Sequence, residues 1–412
     1  MSVNDTPLVP TTAVSWQSLE TFARQEVQGF VQRILEEEVI VLLGRRRSQR
    51  RAAVDAPVGY RNGYGEPRRL AMLNGTISLR RPRLRGIAGR FESRVLPLFE
   101  RRTNELGELL PELYLHGLAL GDFELALRGL LGDGAPLSAS SIARLKAPWQ
   151  LEYDEWRQRR LDDRELVYVW VDGVYVKAGL EKEKACLLVV IGAFRDGHKE
   201  LLALTSGYRE STESWIGVLR DLKARGLEAP KLAVADGALA FWAAAAAIWP
   251  ETAGQRCWNH AIVNVLDKLP KTQQRQAKLL LCAMPYAATR AEAQRLRDGF
   301  ARRYRADHPE AVAILAADWE ALTTFYDFPE EHWKHIRTTN VVESPFAALR
   351  LRTGAAKRFK KVTNATMLIW RVLRVGESRF RRLDAPELLA DVYDGRRFAD
   401  GKPITRTSGK VA

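Results

Sequence analysis

The 412-residue sequence predicts an α/β fold: a mixed β-sheet broken by a helical insertion and preceded by a mainly helical, basic N-terminal region. Three observations lead there. Between Leu166 and Trp249, β-rich runs give way to alternating strands and helices, the pattern of an open sheet carrying helices on its faces. Residues 267–330 then have helical periodicity throughout, and the first hundred residues concentrate arginine. At 46% hydrophobic and 28% charged, the composition is that of a folded protein, and its length exceeds what one core fills.

The N-terminal elements follow in order. Ser18 to Leu43 has apolar residues at helical spacing and ends in Arg45, Arg46, Arg47, Arg50 and Arg51. An extended stretch, Gly75 to Leu84, carries Arg80, Arg81 and Arg83, with Arg85 just beyond. Arginine clusters almost free of lysine suit phosphate, because the guanidinium fork matches its geometry; a solvated face is the other use of such a run. Three short helices come next: Leu106 to His116, Asp122 to Leu131 and Ser138 to Lys146. Gly117 separates the first pair, and Gly132, Gly134 and Pro136 the second. With Ser140, Ser141, Arg144 and Lys146 on the last helix, this is either a helix-turn-helix reader of the major groove or a small bundle linking two domains.

Charge narrows the partner. Lys and Arg number 64 against 50 Asp and Glu, a net +14, which implies an anionic partner. Nucleic acid fits better than membrane, since the most apolar stretch, Ala238 to Trp249, falls well short of the ~20 residues a bilayer requires. Asn4, Asp5 and Thr6 do not begin a secretory leader. Three scattered cysteines, Cys186, Cys257 and Cys282, predict no disulfide framework and a cytoplasmic setting.

In the central region, Leu166 to Val176, Ala185 to Phe194 and Glu200 to Ser206 read as an antiparallel meander, with turns at Lys182 to Lys184 and at Asp196-Gly197. Ser211 and Thr212 then cap a helix with Trp215, Val218, Leu219 and Leu222 on one face. Lys231 to Ala235 forms a further strand before the helix Ala238 to Trp249, so this part of the sheet is parallel. An antiparallel start with a parallel end is what a ribonuclease-H-like fold requires. Helices over Asn264 to Leu269, Thr272 to Cys282, Arg290 to Arg305 and Pro309 to Phe325 form the insertion, and Val341 to Arg352 returns to pack on the sheet. The expected divisions are a basic DNA-binding region (1–103), a helical DNA-binding domain (104–160), a catalytic core in two parts (161–266 and 331–382) around the insertion (267–330), and a C-terminal tail (383–412).

Three acids in this core carry the chemical reading. Asp172 lies within an apolar strand, where a charge is costly unless compensated. Asp236 ends a parallel strand, the ligand-facing edge of an open α/β sheet. Glu343 begins a helix after Arg337, Thr338, Thr339 and Asn340. Converging carboxylates repel one another, and a pair of Mg²⁺ ions shared with phosphate oxygens relieves this while promoting in-line phosphoryl displacement. Each acid also has a plainer use. Asp172-Gly173 can be a hairpin turn and Asp236 a helix cap; Asn340 and Glu343 have capping-box spacing, which Pro345 disturbs.

Several segments together resemble the mutator-type DDE transposases of bacterial insertion sequences. They are Tyr60-Arg61-Asn62-Gly63-Tyr64, Arg81-Pro82-Arg83-Leu84, Val171-Asp172-Gly173-Val174-Tyr175-Val176-Lys177, Ala235-Asp236-Gly237, Gln255-Arg256-Cys257-Trp258-Asn259-His260 and Arg337-Thr338-Thr339-Asn340-Val341-Val342-Glu343-Ser344. Their order and spacing carry the likeness, the gap from Asp236 to Glu343 being the longer and holding the insertion. Pro345 and Phe346 depart from the Leu and Asn that many members carry there. The resemblance implies an Asp172, Asp236 and Glu343 triad, Mg²⁺ or Mn²⁺ as cofactor, binding of terminal inverted repeats and target DNA, and nicking followed by strand transfer. Synapsis of two ends makes a homodimer the simplest assembly, and a nucleoid-associated location follows.

Cys257 and His260 match the family's C-x-x-H element; His260 is expected to position phosphate or water, with Cys257 packed beneath it. A zinc site with His332 and His335 is the less favoured reading, because its half-sites are far apart in sequence. Arg337 is expected near the scissile phosphate, and Lys357, Arg358, Lys360 and Lys361 form a second DNA-holding patch. Trp242, Trp249, Trp258, Trp319 and Trp333 either stack on flipped bases or fill the core. Two other functions fit the same sequence: a ribonuclease-H-like nuclease or resolvase that does not join strands, and a non-catalytic DNA-binding regulator.

Overall fold

The computed structural model describes residues 15–404 except 99, 120, 133–134, 145–147, 179–184, 208–209, 238, 348, 351–358 and 360. The expectations at Asn4 to Thr6, Lys146, Lys182 to Lys184, Arg352, Lys357, Arg358 and Lys360 therefore lie outside the described residues. The chain divides into two compact units, residues 1–147 and 148–412.

In the first unit a long helix, α1 (Leu19–Leu43), ends at Gly44, whose φ of 61° is the left-handed cap that glycine adopts without penalty. Its buried face packs Leu35 against Ile77, Leu79 and Leu96, while Val39 and Leu43 pack against Phe91. Two antiparallel ribbons complete this layer: β1 (Tyr60–Tyr64) pairs with β4 (Pro82–Arg85), and β2 (Arg68–Met72) with β3 (Gly75–Leu79). The single extended run expected over Gly75 to Leu84 is thus broken at Arg80. The cause is Gln32 on α1, whose side chain accepts from Arg80 N (3.0 Å) and donates to Arg80 O (2.9 Å), occupying the groups a strand partner would use. Helices α2 (Asn104–Leu115), α3 (Phe123–Leu131) and α4 (Ala139–Arg144) occupy the three predicted helical stretches.

The second unit opens with α5 (Pro148–Gln158), anchored by Tyr153 Oη on Leu204 O (2.8 Å). Its five-stranded sheet runs in the order β7-β6-β5-β8-β9. β5 (Leu166–Val176), β6 (Ala185–Phe194) and β7 (Lys199–Gly207) form the predicted meander; β8 (Leu232–Ala235) pairs parallel with β5. The fifth strand, β9 (Ala253–Arg256), pairs parallel with β8 and was not expected, because its sequence is polar. It forms because buried Gln255 finds partners in the insertion, donating to Leu322 O (3.0 Å) and accepting from Phe325 N (2.8 Å).

Strand alternation sorts the sheet's two faces. Val169 and Val171 of β5 and Ala233 and Ala235 of β8 join the core under α6 (Thr212–Ala224) and α7 (Leu239–Ile248), together with Trp215, Leu219 and Phe241. Tyr168 and Trp170 point the other way, where Tyr168 Oη meets His332 Nδ1 (2.9 Å) and Trp170 Nε1 donates to His335 O (2.9 Å). That second face receives the chain as it returns from the insertion; α8 (Trp258–Leu266) leads into the insertion, whose helices are α9 (Lys271–Ala283), α10 (Arg290–Tyr304), α11 (Pro309–Ala317) and α12 (Trp319–Thr323). Two single turns, α13 (Trp333–Ile336) and α14 (Asn340–Glu343), follow, then a helix over Val362–Glu377.

Residues 383–404, expected as a tail, are packed. Leu383, Leu389, Val392 and Phe398 are buried, and Arg195 pairs with Asp394 at 3.0 Å. Among the described residues, no helix is long and apolar enough to cross a membrane.

Candidate active site

Alternation that places Tyr168 and Trp170 on the returning-chain face places Asp172 there too. In the parallel pair, Trp170 stands opposite Val234, so Asp172 and Asp236, each two residues further on, lie side by side where the strands end their pairing. Asp172 remains within β5, which continues to Val176; the hairpin-turn reading does not hold. Its Oδ1 accepts from Gly173 N at 2.7 Å. Burial pushes its carboxyl up to about 7, helped by the negative charges of Glu343, Asp236 and Glu210 and opposed by the Gly173 N–H.

Glu343 reaches this face on the last residue of α14. The capping-box expectation needs correction: Thr339, not Asn340, precedes the helix, and its hydroxyl donates to Glu343 Oε1. Asn340 Oδ1 accepts instead from Asn259 Nδ2 (3.0 Å). α14 stops after one turn, and Pro345 lies in the turn that follows, so its missing N–H disrupts no helical hydrogen bond.

Cys257 and His260 join the site from α8. Cys257 is fully buried; the Thr339 amide donates to its Sγ (3.3 Å), and the Thr339 hydroxyl lies 3.1 Å from the same sulfur. Burial pushes this thiol up, but hydrogen bonds from His260 and Thr339 outweigh it and the net direction is down. His260 Nδ1 stands 3.9 Å from Glu343 Oε1. Its imidazole is raised to about 9, chiefly by the hydrogen bond with Cys257, against burial and with help from Glu343 and Asp236. Candidate ligand atoms of Cys257, His260 and Glu343 lie within 4.8 Å of one another. His332 and His335 do not extend this group: His332 is held by Tyr168 and by Ala385 O (3.2 Å), and His335 Nε2 accepts from Asp384 N (3.4 Å).

Two residues beside the acids were not foreseen. The Glu210 carboxylate lies directly over Gly173, where any Cβ would collide with it. Burial pushes it up, and Asp236 adds to the effect. The Arg256 guanidinium lies over Gly237, 2.5 Å from where a Cβ would stand, and pairs with Asp318. Both act through glycine contacts between remote segments, which leave no periodic signal in the sequence.

The family described as "Transposase, Mutator family" matches residues 8–382. The chain belongs to this family. It is 44% identical over 301 residues to the transposase for insertion sequence element IS6120 of Mycolicibacterium smegmatis, spanning 73% of this chain and 93% of that one. It is also 44% identical over 284 residues to the transposase for insertion sequence element IST2 of Acidithiobacillus ferrooxidans, spanning 68% and 96% respectively. A solved chain, "Drosophila P element transposase strand transfer complex", aligns at 12% identity and a TM-score of 0.29 over 69% of this chain and 83% of that one, too remote a likeness to speak for the fold.

The basic residues of this Mutator-family chain are placed unevenly. Arg46, Arg47, Arg80, Arg83 and Arg144 are exposed on the first unit, while Arg81 is half-buried. Arg45 instead closes the end of α1, donating to Pro57 O (3.1 Å) and Gly59 O. Arg337 is half-buried at the root of the insertion, stacked 3.8 Å from the Tyr286 ring centroid and donating to Pro285 O (2.9 Å). Both guanidiniums are engaged by partners within the protein. Lys361 is exposed ahead of the helix Val362–Glu377. Trp249, Trp258, Trp319 and Trp333 are core residues; Trp242 is half-buried and donates to Asp236 O (3.1 Å).

Proposed function

We propose that this Mutator-family chain is a DDE transposase with a ribonuclease-H-like core, in which Asp172, Asp236 and Glu343 hold two Mg²⁺ or Mn²⁺ ions and the DNA strand is cut and rejoined. The observation that carries this is the adjacent register of Asp172 and Asp236 on the sheet face to which α14 brings Glu343. Three antiparallel strands followed by two parallel ones support the ribonuclease-H-like core.

The donor set fits such ions. Hard carboxylate oxygens of Asp172, Asp236 and Glu343 share a partly desolvated face, where burial and then the charges of Glu343, Asp236 and Glu210 push the Asp172 carboxyl up to about 7, a repulsion that a dication would relieve. Metal ions held by Asp172, Asp236 and Glu343 would supply Lewis acidity for activating a water or a 3′-hydroxyl and for stabilising the leaving oxygen. The chain's own groups do the positioning. Gly173 N–H fixes one Asp172 oxygen, and the Thr339 hydroxyl fixes one Glu343 oxygen. His260, protonated at neutral pH, supplies a positive charge for the scissile phosphate. Exposed arginines of the first unit bind the terminal inverted repeats and target DNA, Lys361 and its basic neighbours hold the strand near the acids, and a homodimer pairs the two ends.

The test is Asp172→Asn assayed on element-end duplexes with a separate target DNA. Cleavage and joining should both disappear in Mn²⁺ while end binding persists; a wild-type protein that cleaves but never joins a supplied 3′-hydroxyl would be a nuclease instead. Residues 148–412 alone should lose end-specific binding, because α2 to α4, the candidate readers of the major groove, lie in the first unit.

A further inference from the structure

The first unit contains a cavity of about 510 Å³ lined by Arg68, Arg81, Arg83, Arg85 and Arg90, with Glu66 the one acid on its wall. Arg81 is its centre. One of its terminal nitrogens donates to Leu96 O, but Nε and the other terminal nitrogen are buried without a partner. Burial holds its guanidinium below the usual arginine value, and the positive charges of Arg68 and Arg90 act the same way. Among the described residues, none of the five arginines has a carboxylate within ion-pair distance. The carboxylates acting on Arg81 from further off are Glu92 and Glu38, and Glu38 already accepts from Arg94 N at 2.8 Å.

A half-buried guanidinium with two buried, unfilled N–H donors beside two like charges is unfavourable in the free protein. An anion with several acceptor oxygens removes both defects at once, and a phosphodiester presents such oxygens to arginine forks. The cavity is built by backbone that holds its floor: Gly65 N donates to Arg81 O at 2.8 Å, extending the pairing of β1 with β4 by one step beyond Tyr64 and Pro82. We propose that this cavity seats one backbone phosphate of duplex DNA, so that the β1–β4 ribbon grips DNA without regard to sequence. This rests on the transposase reading and deepens it: selection of the element's ends is left to other parts of the chain, since a phosphate contact positions a duplex but carries no base information.

The experiment measures anisotropy of the full-length protein on two labelled duplexes, one of random sequence and one carrying the inverted repeat that flanks the reading frame, across a salt series. The variants are Arg83→Gln, Arg90→Gln and their double, all at exposed side chains, with Arg83→Lys and Arg90→Lys as charge-preserving controls. Each Gln variant should weaken both duplexes by the same factor, about three- to tenfold. The double should flatten the slope of log affinity against log salt by about 0.9 and no more, because both arginines serve a single phosphate. The Lys variants should keep the wild-type slope. Unchanged affinity for the random duplex, or a loss confined to the repeat, overturns the proposal. A wild-type protein that joins DNA while its Gln variants bind normally removes the cavity inference alone. Failure of the wild type to cleave or join removes the transposase reading without touching these binding curves.

Discussion

Replacing Asp172 with asparagine should make the metal-free protein more stable. The carboxyl is half-buried and is pushed up to about 7 by burial and by the charges of Glu343, Asp236 and Glu210. An acid whose folded value lies above its unfolded value near 3.9 holds its proton more tightly when folded. Its charge therefore costs nothing below about pH 4 and progressively destabilises the fold as pH rises through about 7. Three powers of ten in proton affinity correspond to about 4 kcal/mol at about pH 8, reduced to about 2 kcal/mol for the water that still reaches the group. Asparagine keeps the shape and removes the charge. In chelator at about pH 8, the variant should melt about 3 °C above wild type by scanning calorimetry, and the gap should close at about pH 4. Added Mn²⁺ should reverse the order, because only the wild type gains the stabilisation of a well-bound ligand. A variant that melts below wild type in chelator, or a gap that ignores pH, would refute the view that these acids repel one another.

Three further outcomes follow from contacts around the site. His260→Gln should slow strand cleavage by about a hundredfold in single-turnover assays while duplex affinity stays within about twofold; an equal loss of both would place the imidazole in folding rather than chemistry. Gly173→Ala should destabilise the protein by about 1–3 kcal/mol through collision with Glu210, and Glu210→Ala in the same chain should restore most of it in thermal melts; no recovery would mean the two groups do not touch. Arg256→Met should cost about 2 kcal/mol by stranding Asp318, and a cycle with Asp318→Asn should show coupling near that size, with additive losses counting against the pair.

Much of this architecture was legible because it rests on periodicity. The meander, the one-sided face of α6 and the strand ending at Ala235 all follow from apolar spacing, and each is where the pattern put it. What escaped depends on side chains that meet across long stretches of chain. β9 looked like a loop because Gly254, Gln255 and Arg256 are poor strand formers; only the carbonyl of Leu322 and the amide of Phe325 make Gln255 tolerable inside. The same holds at the acids. Asp172 stands out as a charge within an apolar run and Asp236 as one at the end of another, whereas Glu210 precedes a helix cap and looks like any loop acid. The start of α14 was misread because Thr339 and Asn340 are both good caps, and local spacing cannot tell which side chain Cys257 and Asn259 will engage.

The polar edge of the sheet has a consequence for anyone trimming this protein. Gln255 and the Trp258 indole both donate to Leu322 O, at 3.0 and 2.7 Å. A minimal core with residues 267–330 excised and the ends spliced would strip the Trp258 indole N–H of its acceptor and leave the Gln255 side chain only its bond to Arg256 O (2.7 Å), at about 1–3 kcal/mol for each group that stays buried. The helical excursion is thus a keystone for the strand it rests on, and shortening it calls for a hydrophobic replacement at position 255 in the same step.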